Sequence, residues 1–372
     1  MKKNIFYYLG LFLLCLYTWE IISNIITFNQ VFKSFLYIFI SLCFLINLFS
    51  QKYFKKEIWI IIFLLILCFY TSMVTGVYSI FLGYLAVLSS KNISNKKIVK
   101  LILFSDILFL FIHIFITLVF NINSGELYYT SSGLFRYSFN LRHPNSLAGT
   151  SFWSLAAYLY LSDKSKSFKM IITILIMLIV YKLTYSRTTL ILYILLCIFL
   201  MLNAEKYNQK TLKISKIILI ILIILSVLFS YKYFNISGNV KTILYTLNSL
   251  LSNRLILNSI GVNYYKYTLF GQYINYYNII SYHGYRLSRL VLDSFYISCL
   301  INYGIIHIFI LIYAFSKYTR KVVDYKSWVL ILLLLISGLT EKYIIYVTLG
   351  FPLFFLKDVI FSNKIIKEEN DE

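Results

Sequence analysis

The sequence predicts an all-α polytopic membrane protein, and two observations support this prediction. The chain of 372 residues is 60% hydrophobic and only 13% charged, with a mean hydropathy of +0.78, whereas soluble domains carry about 25% charged residues. Apolar runs of roughly 20 residues, the length that spans a bilayer as a helix, recur from one end of the chain to the other. Because lipid offers the backbone no hydrogen-bond partner, we expect these runs to be helices.

The hydropathy pattern predicts about twelve spans in a single membrane domain that covers residues 1–372. The first span resembles a signal sequence, but no small-residue cleavage site follows it, so an uncleaved first helix is expected. The predicted spans are 4–24, 33–49, 58–74, 76–90, 98–120, 146–161, 169–185, 188–203, 215–234, 291–316, 327–341 and 343–357.

Lysine marks the connections that are expected to face the cytoplasm of a multi-pass protein in the cell membrane. These connections are 50–57, 91–97, 162–168, 204–214, 317–326 and the tail from 358. Both termini are then cytoplasmic, and two loops, 121–145 and 235–290, are external. The same lysines explain the net charge of +21, so nucleic acid is not an expected partner.

The cysteines give no sign of a disulfide framework or a metal site. All five lie inside apolar runs without a CxxC spacing, so we expect them to pack as small hydrophobic residues. No cofactor is expected. The five are Cys15, Cys43, Cys68, Cys197 and Cys299.

Arginine is distributed differently from lysine, because six of the seven arginines lie in the external loops or at external helix ends. A guanidinium group binds phosphate or carboxylate through two parallel hydrogen bonds, so we interpret these arginines as an anion-binding set. The alternative is that they pair with lipid headgroups or with the few external carboxylates, Glu20, Glu126, Asp293 and Glu341. The set is Arg136, Arg142, Arg187, Arg254, Arg286 and Arg289.

The first external loop ends in a sequence suited to a helix start. Pro144 disfavours helix at His143 and fits the first helical turn, and Asn145 or Ser146 can cap that turn. A helix N-terminus beside the loop's two arginines would bind an anion, and Arg142 is preferred because it adjoins the helix start. His143 and Asn145 belong to this candidate site. The simpler alternative is a structural entry into the helix, which does not need both arginines.

Arg187 lies in a tight turn between the seventh and eighth predicted spans, within the sequence Tyr-Ser-Arg-Thr-Thr. A charge so close to the hydrocarbon region is costly unless it reaches out to the interface or has a partner. Contact with a ligand and extension to the interface both remain open.

The second external loop supplies the candidate bases. If its last part is helical, Arg286, Arg289 and Asp293 lie on one face. Arg289 and Asp293 would then be an ordinary ion pair, or Asp293 would be a base kept ionised beside guanidinium groups. His283 is the second candidate base, because histidine titrates near neutral pH. Two histidines within spans are expected to be hydrogen-bonded structural residues: His113 and His307.

The motifs that the sequence lacks narrow the chemistry. It has no HExxH, no glycine-rich phosphate loop, no GxSxG and no external carboxylate pair spaced for glycoside hydrolysis. An external site has no supply of nucleotide sugars, so a lipid-diphosphate sugar suits it better. Arginines would stabilise the departing diphosphate, and one base would deprotonate an acceptor hydroxyl.

Short motifs occur here in the same order as in bacterial polysaccharide polymerases. From about residue 98 onward, the chain resembles a Wzy-type polymerase of the O-antigen ligase/polymerase superfamily, of the Gram-positive capsule and exopolysaccharide type. The motifs are Arg136-x-Ser-Phe with His143-Pro-Asn, Ser186-Arg-Thr, Arg254-Leu with Leu269-Phe-Gly, and Asp293-Ser-Phe-Tyr with Leu300-Ile-Asn-Tyr-Gly.

The resemblance implies a GT-C-like fold and transfer of an undecaprenyl-diphosphate-linked glycan onto a second lipid-linked repeat unit. The implied partners are this donor and acceptor, the bilayer, a chain-length regulator and a flippase. Arg142, Arg187 and Arg254 would contact the diphosphate or the glycan. Related ligases and many polymerases carry His-Asn where this chain has Asp293-Ser, which leaves the base open between Asp293 and His283.

Two other functions share these features. A repeat-unit flippase or other transporter would concentrate polar residues within its spans, and the almost purely apolar spans here favour an enzyme instead. A ligase would use the same chemistry with a different acceptor, and nothing in the sequence separates it from a polymerase.

Overall fold

The computed structural model describes residues 4–120, 122, 128–129, 133–162, 166–202, 209–251, 253–321 and 324–361. Helices make up 72% of the chain, which confirms the all-α class. One external carboxylate named above, Glu126, and the tail from residue 362 lie outside the described residues.

Fifteen α-helices follow one another along the described chain, most of them joined by short connections. In chain order they are α1 (Ile5–Ile22), α2 (Gln30–Phe49), α3 (Lys55–Thr75), α4 (Tyr78–Leu88), α5 (Asn95–Val119), α6 (Pro144–Leu161), α7 (Lys166–Thr184), α8 (Arg187–Met201), α9 (Gln209–Lys232), α10 (Asn239–Leu250), α11 (Arg254–Tyr264), α12 (Phe295–Ser298), α13 (Ile306–Lys321), α14 (Tyr325–Ser337) and α15 (Lys357–Ile360). A π-helical turn, Cys299–Tyr303, continues α12, and two 3-10 turns, Tyr343–Ile345 and Phe351–Leu356, precede α15.

Two small antiparallel hairpins lie in the segments predicted to be external loops. The first pairs β1 (Tyr128–Tyr129) with β2 (Phe135–Arg136), and the second pairs β3 (Ile280–Tyr282) with β4 (Tyr285–Leu287). The second loop also contains α10 and α11, so it is a folded segment.

Within the described residues, five helical segments are long and apolar enough to cross a membrane: α1, α2, α3, α5 and Leu212–Lys232 of α9. The shorter apolar helices α4, α8 and α14 lie among them. The prediction of a membrane-embedded helical protein is confirmed at this level, and the count of about twelve spans stays a prediction.

The core is centred on α14, whose residues from Ser327 to Leu335 are all buried. Trp328 of this helix belongs to the same buried cluster as Trp19 of α1 and Trp153 of α6, and each of the three is 1% exposed. A helix that is apolar and buried all round needs protein on every side. By contrast, α3, α7 and α9 expose large apolar side chains, as expected of lipid-facing helices. All five cysteines are buried and unpaired, as predicted.

The predicted span 291–316 is wrong as one continuous helix, because the chain breaks at Gly304. Backbone groups freed by the break pair with the segment 268–272 instead. The amides of Thr268 and Gln272 donate to the carbonyls of Leu300 and Asn302 at 3.0 and 2.8 Å. This interlock of 268–272 with 299–305 is called the Gly304 joint below.

Both glycines of the Gly304 joint are required by its geometry. Gly304 has φ +105°, and a Cβ there would lie 2.5 Å from the carbonyl oxygen of Leu269. Gly271 has φ +114°, and its Cβ would lie 3.0 Å from the carbonyl oxygen of Asn302. Only glycine adopts such dihedrals readily. The Leu269-Phe-Gly and Asn302-Tyr-Gly motifs are therefore two halves of one structural unit.

The predicted span 343–357 is also interrupted. The chain forms 3-10 turns on either side of Gly350, and Pro352 lacks the amide hydrogen that a regular helix would use. The remaining backbone groups bond locally, as in the 2.7 Å bond from the Gly350 amide to the Tyr346 carbonyl.

Both histidines within the helices are hydrogen-bonded, as predicted. His307 contacts Thr71 through Nε2 and Tyr84 through Nδ1, both at 3.0 Å. The hydroxyl of Thr71 also donates to the carbonyl of Phe270 in the Gly304 joint at 3.0 Å. His113 contacts Ser23 at 3.4 Å. His307 thus ties α3 and α4 to the joint.

Replacing Gly304 with alanine should destabilise the protein by about 2 kcal/mol or more, because left-handed backbone strain adds to the clash with Leu269. The measurement is the apparent Tm of the detergent-solubilised chain. Gly83→Ala is the matched control, since its Cβ would meet Val347 at an ordinary 3.5 Å. Equal Tm values for the two variants would contradict the assigned role of the joint.

Candidate functional site

Chain segments that are distant in sequence converge at the helix ends predicted to be external. They are the N-termini of α6 and α8, the C-terminus of α7, the start of α11, the residues before α12 and the segment that follows α14. The side chains they bring together include the sequence-predicted Arg136, Asn145, Arg254 and Asp293.

Arg254 is the centre of this site and is only 8% exposed. Its Nη2 lies 2.8 Å from Oε1 of Glu341, and its Nε lies 3.3 Å from Oδ2 of Asp293. Its Nη1 donates to the carbonyl of Thr340. These residues, Arg254, Asp293 and Glu341, are called the Arg254 cluster below. For this one arginine, the alternative of pairing with Asp293 and Glu341 is confirmed, and the external position of these carboxylates stays a prediction.

The two carboxylates decide the charge of the buried guanidinium. Burial alone would lower the pKa of Arg254, but Glu341 and Asp293 outweigh burial and raise it. Burial raises the pKa of the Glu341 carboxyl, against the opposing effect of Arg254. The cluster is therefore a mutually dependent set of charges.

A single carbonyl keeps the two carboxylate-bearing segments in register. The oxygen of Gly338 accepts the amide of Phe295 at 2.9 Å and the hydroxyl of Ser294 at 3.2 Å. Ser294 adjoins Asp293, and Gly338 precedes Glu341 by three residues. The spacing between the two carboxylates thus follows from backbone contacts as well as from Arg254.

Arg136 lies beside the Arg254 cluster and connects two helix ends. Its Nε donates to the carbonyl of Thr184 at the end of α7, and its Nη2 donates to Oδ1 of Asn145 in α6, both at 2.7 Å. Burial lowers the pKa of Arg136, and the positive charge of Arg254 lowers it further. Among the described residues, the second terminal nitrogen of Arg136, Nη1, has no hydrogen-bond partner.

The N-terminus of α8 supplies further donors. α8 follows a two-residue turn after α7, as predicted, with Tyr185 at φ +50°. Ser186 is 3% exposed, and its hydroxyl has no hydrogen-bond partner among the described residues. Thr188 donates to Oε1 of Glu341 at 3.4 Å, and Arg187 is exposed. The free N–H groups of this helix start favour an anion.

His143 and Asn145 have structural contacts at the start of α6. The expected cap at Asn145 or Ser146 is wrong, because the helix begins at Pro144 and His143 is the N-cap. Its Nδ1 accepts the amide of Asn145 at 3.0 Å. The carbonyl of Asn145 accepts the hydroxyl of Tyr343 at 3.1 Å, which ties α6 to the segment after α14.

Arg142 is exposed and lies against the end of α1. Its Nε donates to the carbonyl of Ser23 at 3.2 Å, and its Nη2 donates to that of Glu20 at 3.4 Å. The carboxylate of Glu20 is paired with Lys33 at 2.8 Å. A cation at a helix C-terminus is a common stabilising arrangement. The geometry therefore favours Arg136 over Arg142 as the ligand-facing arginine of the first loop.

The last part of the second loop does not form the helix that was considered for residues 286 to 293. Arg286 lies in β4, the residues from 288 to 294 are irregular, and Asp293 pairs with Arg254, so the expected Arg289–Asp293 pair is wrong. His283 is exposed at the hairpin turn with its ring stacked 4.8 Å from that of Phe234. Among the described residues, His283 forms no hydrogen bond, ion pair or ring contact with the Arg254 cluster.

Lys342 belongs to the site, although sequence reasoning missed it. Its Nζ lies 5.5 Å above the ring of Tyr276, and burial lowers its pKa to about 8, against an ordinary value of 10.5. The charge of Asp293 opposes this shift, and Arg289 adds to it. The sequence did contain a signal for Lys342, because it lies at a helix end predicted to be external, whereas lysines are usually enriched on the cytoplasmic side.

Replacing Arg254 with alanine should destabilise the protein by about 3–5 kcal/mol, because it leaves the buried carboxylate of Glu341 without its partner. Thermal unfolding of the solubilised chain measures this. Arg286→Ala is the control, since that arginine is exposed. Loss of less than about 1 kcal/mol in Arg254→Ala would mean that the ion pairs do not hold the site together.

The amine of Lys342 should become reactive as pH rises through about 8. Between about 8 and 10.5 the unfolded chain still holds this proton and the folded chain has released it, so the contribution of Lys342 to stability rises with pH across that window. Competitive acetylation followed by mass spectrometry measures the titration, with Lys241 as an internal reference. A Lys342 midpoint at or above pH 10 would contradict the effect of burial.

Comparison with protein-family models, curated proteins and solved structures found no match. The likeness to polysaccharide polymerases rests on the short motifs alone, and function is argued below from the contacts of the site.

Proposed function

We propose that this protein polymerises lipid-diphosphate-linked oligosaccharide repeat units into a capsular, exopolysaccharide or O-antigen chain. In this proposal the chain crosses the cytoplasmic membrane about twelve times, has a GT-C-like arrangement and keeps both termini inside. The Arg254 cluster then lies at the external face. The observation that carries the proposal is this cluster, flanked by the cation Arg136 and by the open N-terminus of α8.

The donor diphosphate would bind between Arg136 and the start of α8. Arg136 and Arg187 supply cations, and the unpartnered hydroxyl of Ser186 supplies a buried donor. Guanidinium groups and helix N-termini both stabilise negative charge that grows on a leaving group. In this assignment Arg254 is a positioning residue, because its hydrogen bonds are already taken by Glu341, Asp293 and Thr340.

An apolar cavity lies next to the cluster and suits the lipid part of such a donor. The cavity of about 110 Å³ is lined by apolar side chains that include Phe295, Ile344, Ile345 and Ile360. Phe295 follows Asp293 by two residues, and Ile344 follows Lys342 by two. An apolar cavity whose lining adjoins the charged residues in sequence fits the hydrocarbon part of an amphiphile.

Asp293 is the proposed base. It would accept the proton of an acceptor hydroxyl while that oxygen forms a bond to the anomeric carbon of the donor. The bond from this carbon to the diphosphate oxygen breaks, and its electron pair leaves with the diphosphate, toward Arg136. Asp293 is preferred over His283 because Asp293 is fixed by Arg254 at 3.3 Å, whereas His283 is held by ring contacts at a hairpin turn.

One observation favours a transporter as the second candidate. Asp106 lies within α5 and is 3% exposed, and an acidic group buried inside a membrane helix often serves proton-coupled movement. Under the transporter alternative, Asp106→Asn would abolish translocation of the lipid-linked repeat unit. Under the polymerase proposal a separate flippase translocates the repeat unit, so Asp106→Asn would not change translocation.

Asp293→Asn and Arg136→Gln should each reduce chain lengthening by about a hundredfold or more, because one removes the base and the other a cation for the leaving group. The assay incubates the purified chain in lipid nanodiscs with a lipid-linked repeat unit and resolves products by size. Lys241→Gln on α10 is the control for the substitution itself.

Single repeat units should persist with both variants, and the control should make long chains. Long chains from Asp293→Asn at the native rate would exclude Asp293 as the base. Long chains from both variants would overturn the proposed function.

A further inference from the structure

Two further cations beside the Arg254 cluster form no ion pair within 4 Å with the described residues. Lys342 lies 5.5 Å above the ring of Tyr276, and the guanidinium of Arg289 lies 5.3 Å above the ring of Tyr277. Neither side chain forms a hydrogen bond with the described residues, although Asp293 and Glu341 lie close enough to Lys342 for both carboxylates to raise its pKa. The two cations are close enough for Arg289 to lower the pKa of Lys342.

The local charges do not balance. Among the described residues, four cations, Arg136, Arg254, Arg289 and Lys342, interact with one another or with two carboxylates, Asp293 and Glu341, which leaves an excess of two positive charges in this set. Both carboxylates are already bound to Arg254, at 3.3 and 2.8 Å. Lys342 is partly buried and Arg289 is exposed, so water screens their repulsion only in part, and an anion that joined them would relieve it.

The tyrosine pair is held in place, so the two cations are presented on a defined surface. The carbonyl of Tyr276 accepts the amide of Leu290 at 2.9 Å, and its hydroxyl accepts Nδ2 of Asn302 at 2.6 Å. The amide of Tyr277 donates to Oδ1 of Asn275 at 3.1 Å. Through Asn302 this turn is fixed to the Gly304 joint.

The surface near this pair also suits a sugar. Tyr273 and Tyr277 are 70% and 72% exposed, and exposed rings offer flat apolar faces to a pyranose. Lys342 and Arg289 contact the 276–277 turn, whereas Arg136 at the proposed diphosphate site contacts Thr184 and Asn145. The two sets of cations therefore rest on different segments, and the 276–277 turn is left for an acceptor glycan.

We propose that Lys342 and Arg289, held over Tyr276 and Tyr277, form a subsite for an acidic group on a sugar. The group is the carboxylate of a uronic acid or a phosphate substituent on the repeat unit. This inference rests on the proposed function for its context, because it makes the acceptor an anionic glycan. Both cations would close on one anion, and the anion would relieve their mutual repulsion.

The test measures binding of three probes to the full chain in uncharged lipid nanodiscs. Trigalacturonic acid carries the acidic groups, maltotriose is the neutral match, and farnesyl diphosphate represents the lipid-linked diphosphate. The native chain should bind trigalacturonic acid at least about tenfold more tightly than maltotriose, because charge-assisted hydrogen bonds are the stronger ones. Rising salt should weaken this preference.

Lys342→Gln and Arg289→Gln should each weaken binding of trigalacturonic acid about tenfold and leave maltotriose and farnesyl diphosphate unchanged. Lys241→Gln is the matched control, because Lys241 also lies over a tyrosine ring, 5.7 Å from that of Tyr245, away from the cluster. The control should bind all three probes like the native chain.

Three results would overturn the subsite. The first is equal binding of trigalacturonic acid and maltotriose by the native chain, and the second is unchanged binding of trigalacturonic acid in both variants. The third is an equal loss of farnesyl diphosphate binding in the variants, which would mean that Lys342 and Arg289 bind the lipid diphosphate. Failure of the proposed function can be distinguished from failure of the subsite. If Asp293→Asn still lengthens chains while Lys342→Gln loses the acidic probe, the catalytic assignment fails and the subsite stands.

Discussion

The ion pairs of one buried guanidinium hold together the helix ends and loops that form the candidate site. Arg254 begins α11, and its two carboxylate partners belong to the segments before α12 and after α14. A buried charge is tolerated only with partners, so these three segments depend on one another. The remaining site groups reach the same place through shorter contacts, such as the bond from Arg136 to Asn145. Stability and the arrangement of candidate catalytic groups therefore rest on the same few bonds.

The sequence was sufficient for the features that the bilayer imposes locally. Apolar length and the scarcity of charge predicted helices, and the helices were found. The same holds for the turn around Ser186 and for the structural roles of His113 and His307, since a polar group inside an apolar segment needs a neighbour. The separation of arginine from lysine directed attention to Arg136 and Arg254, which the structure brings together.

Features that depend on distant partners could not be predicted in this way. Hydropathy shows that 291–316 is apolar. It cannot show that the helix is interrupted at Gly304 and that the backbone there forms hydrogen bonds with the segment 268–272. The partner of Asp293 could not be predicted for the same reason. Helical spacing within one segment suggested Arg289, whereas the observed partner, Arg254, comes from α11. Lys342 was overlooked because it follows an apolar helix directly and looks like an ordinary span end.

The Gly304 joint has a consequence for how this kind of site could diversify. It fastens the chain at 268–272 to the chain at 299–305, so the residues between them form a loop closed at its base. The entropy cost of lengthening a closed loop grows only slowly with its length. Insertions and exchanges at the exposed hairpin of β3 and β4, between the two fastened ends, could therefore change its surface while the helices keep their packing. Under the proposed function, glycan recognition would diversify at this hairpin, while Asp293 and α12, in the same closed loop, stay fixed to Arg254 and to the core.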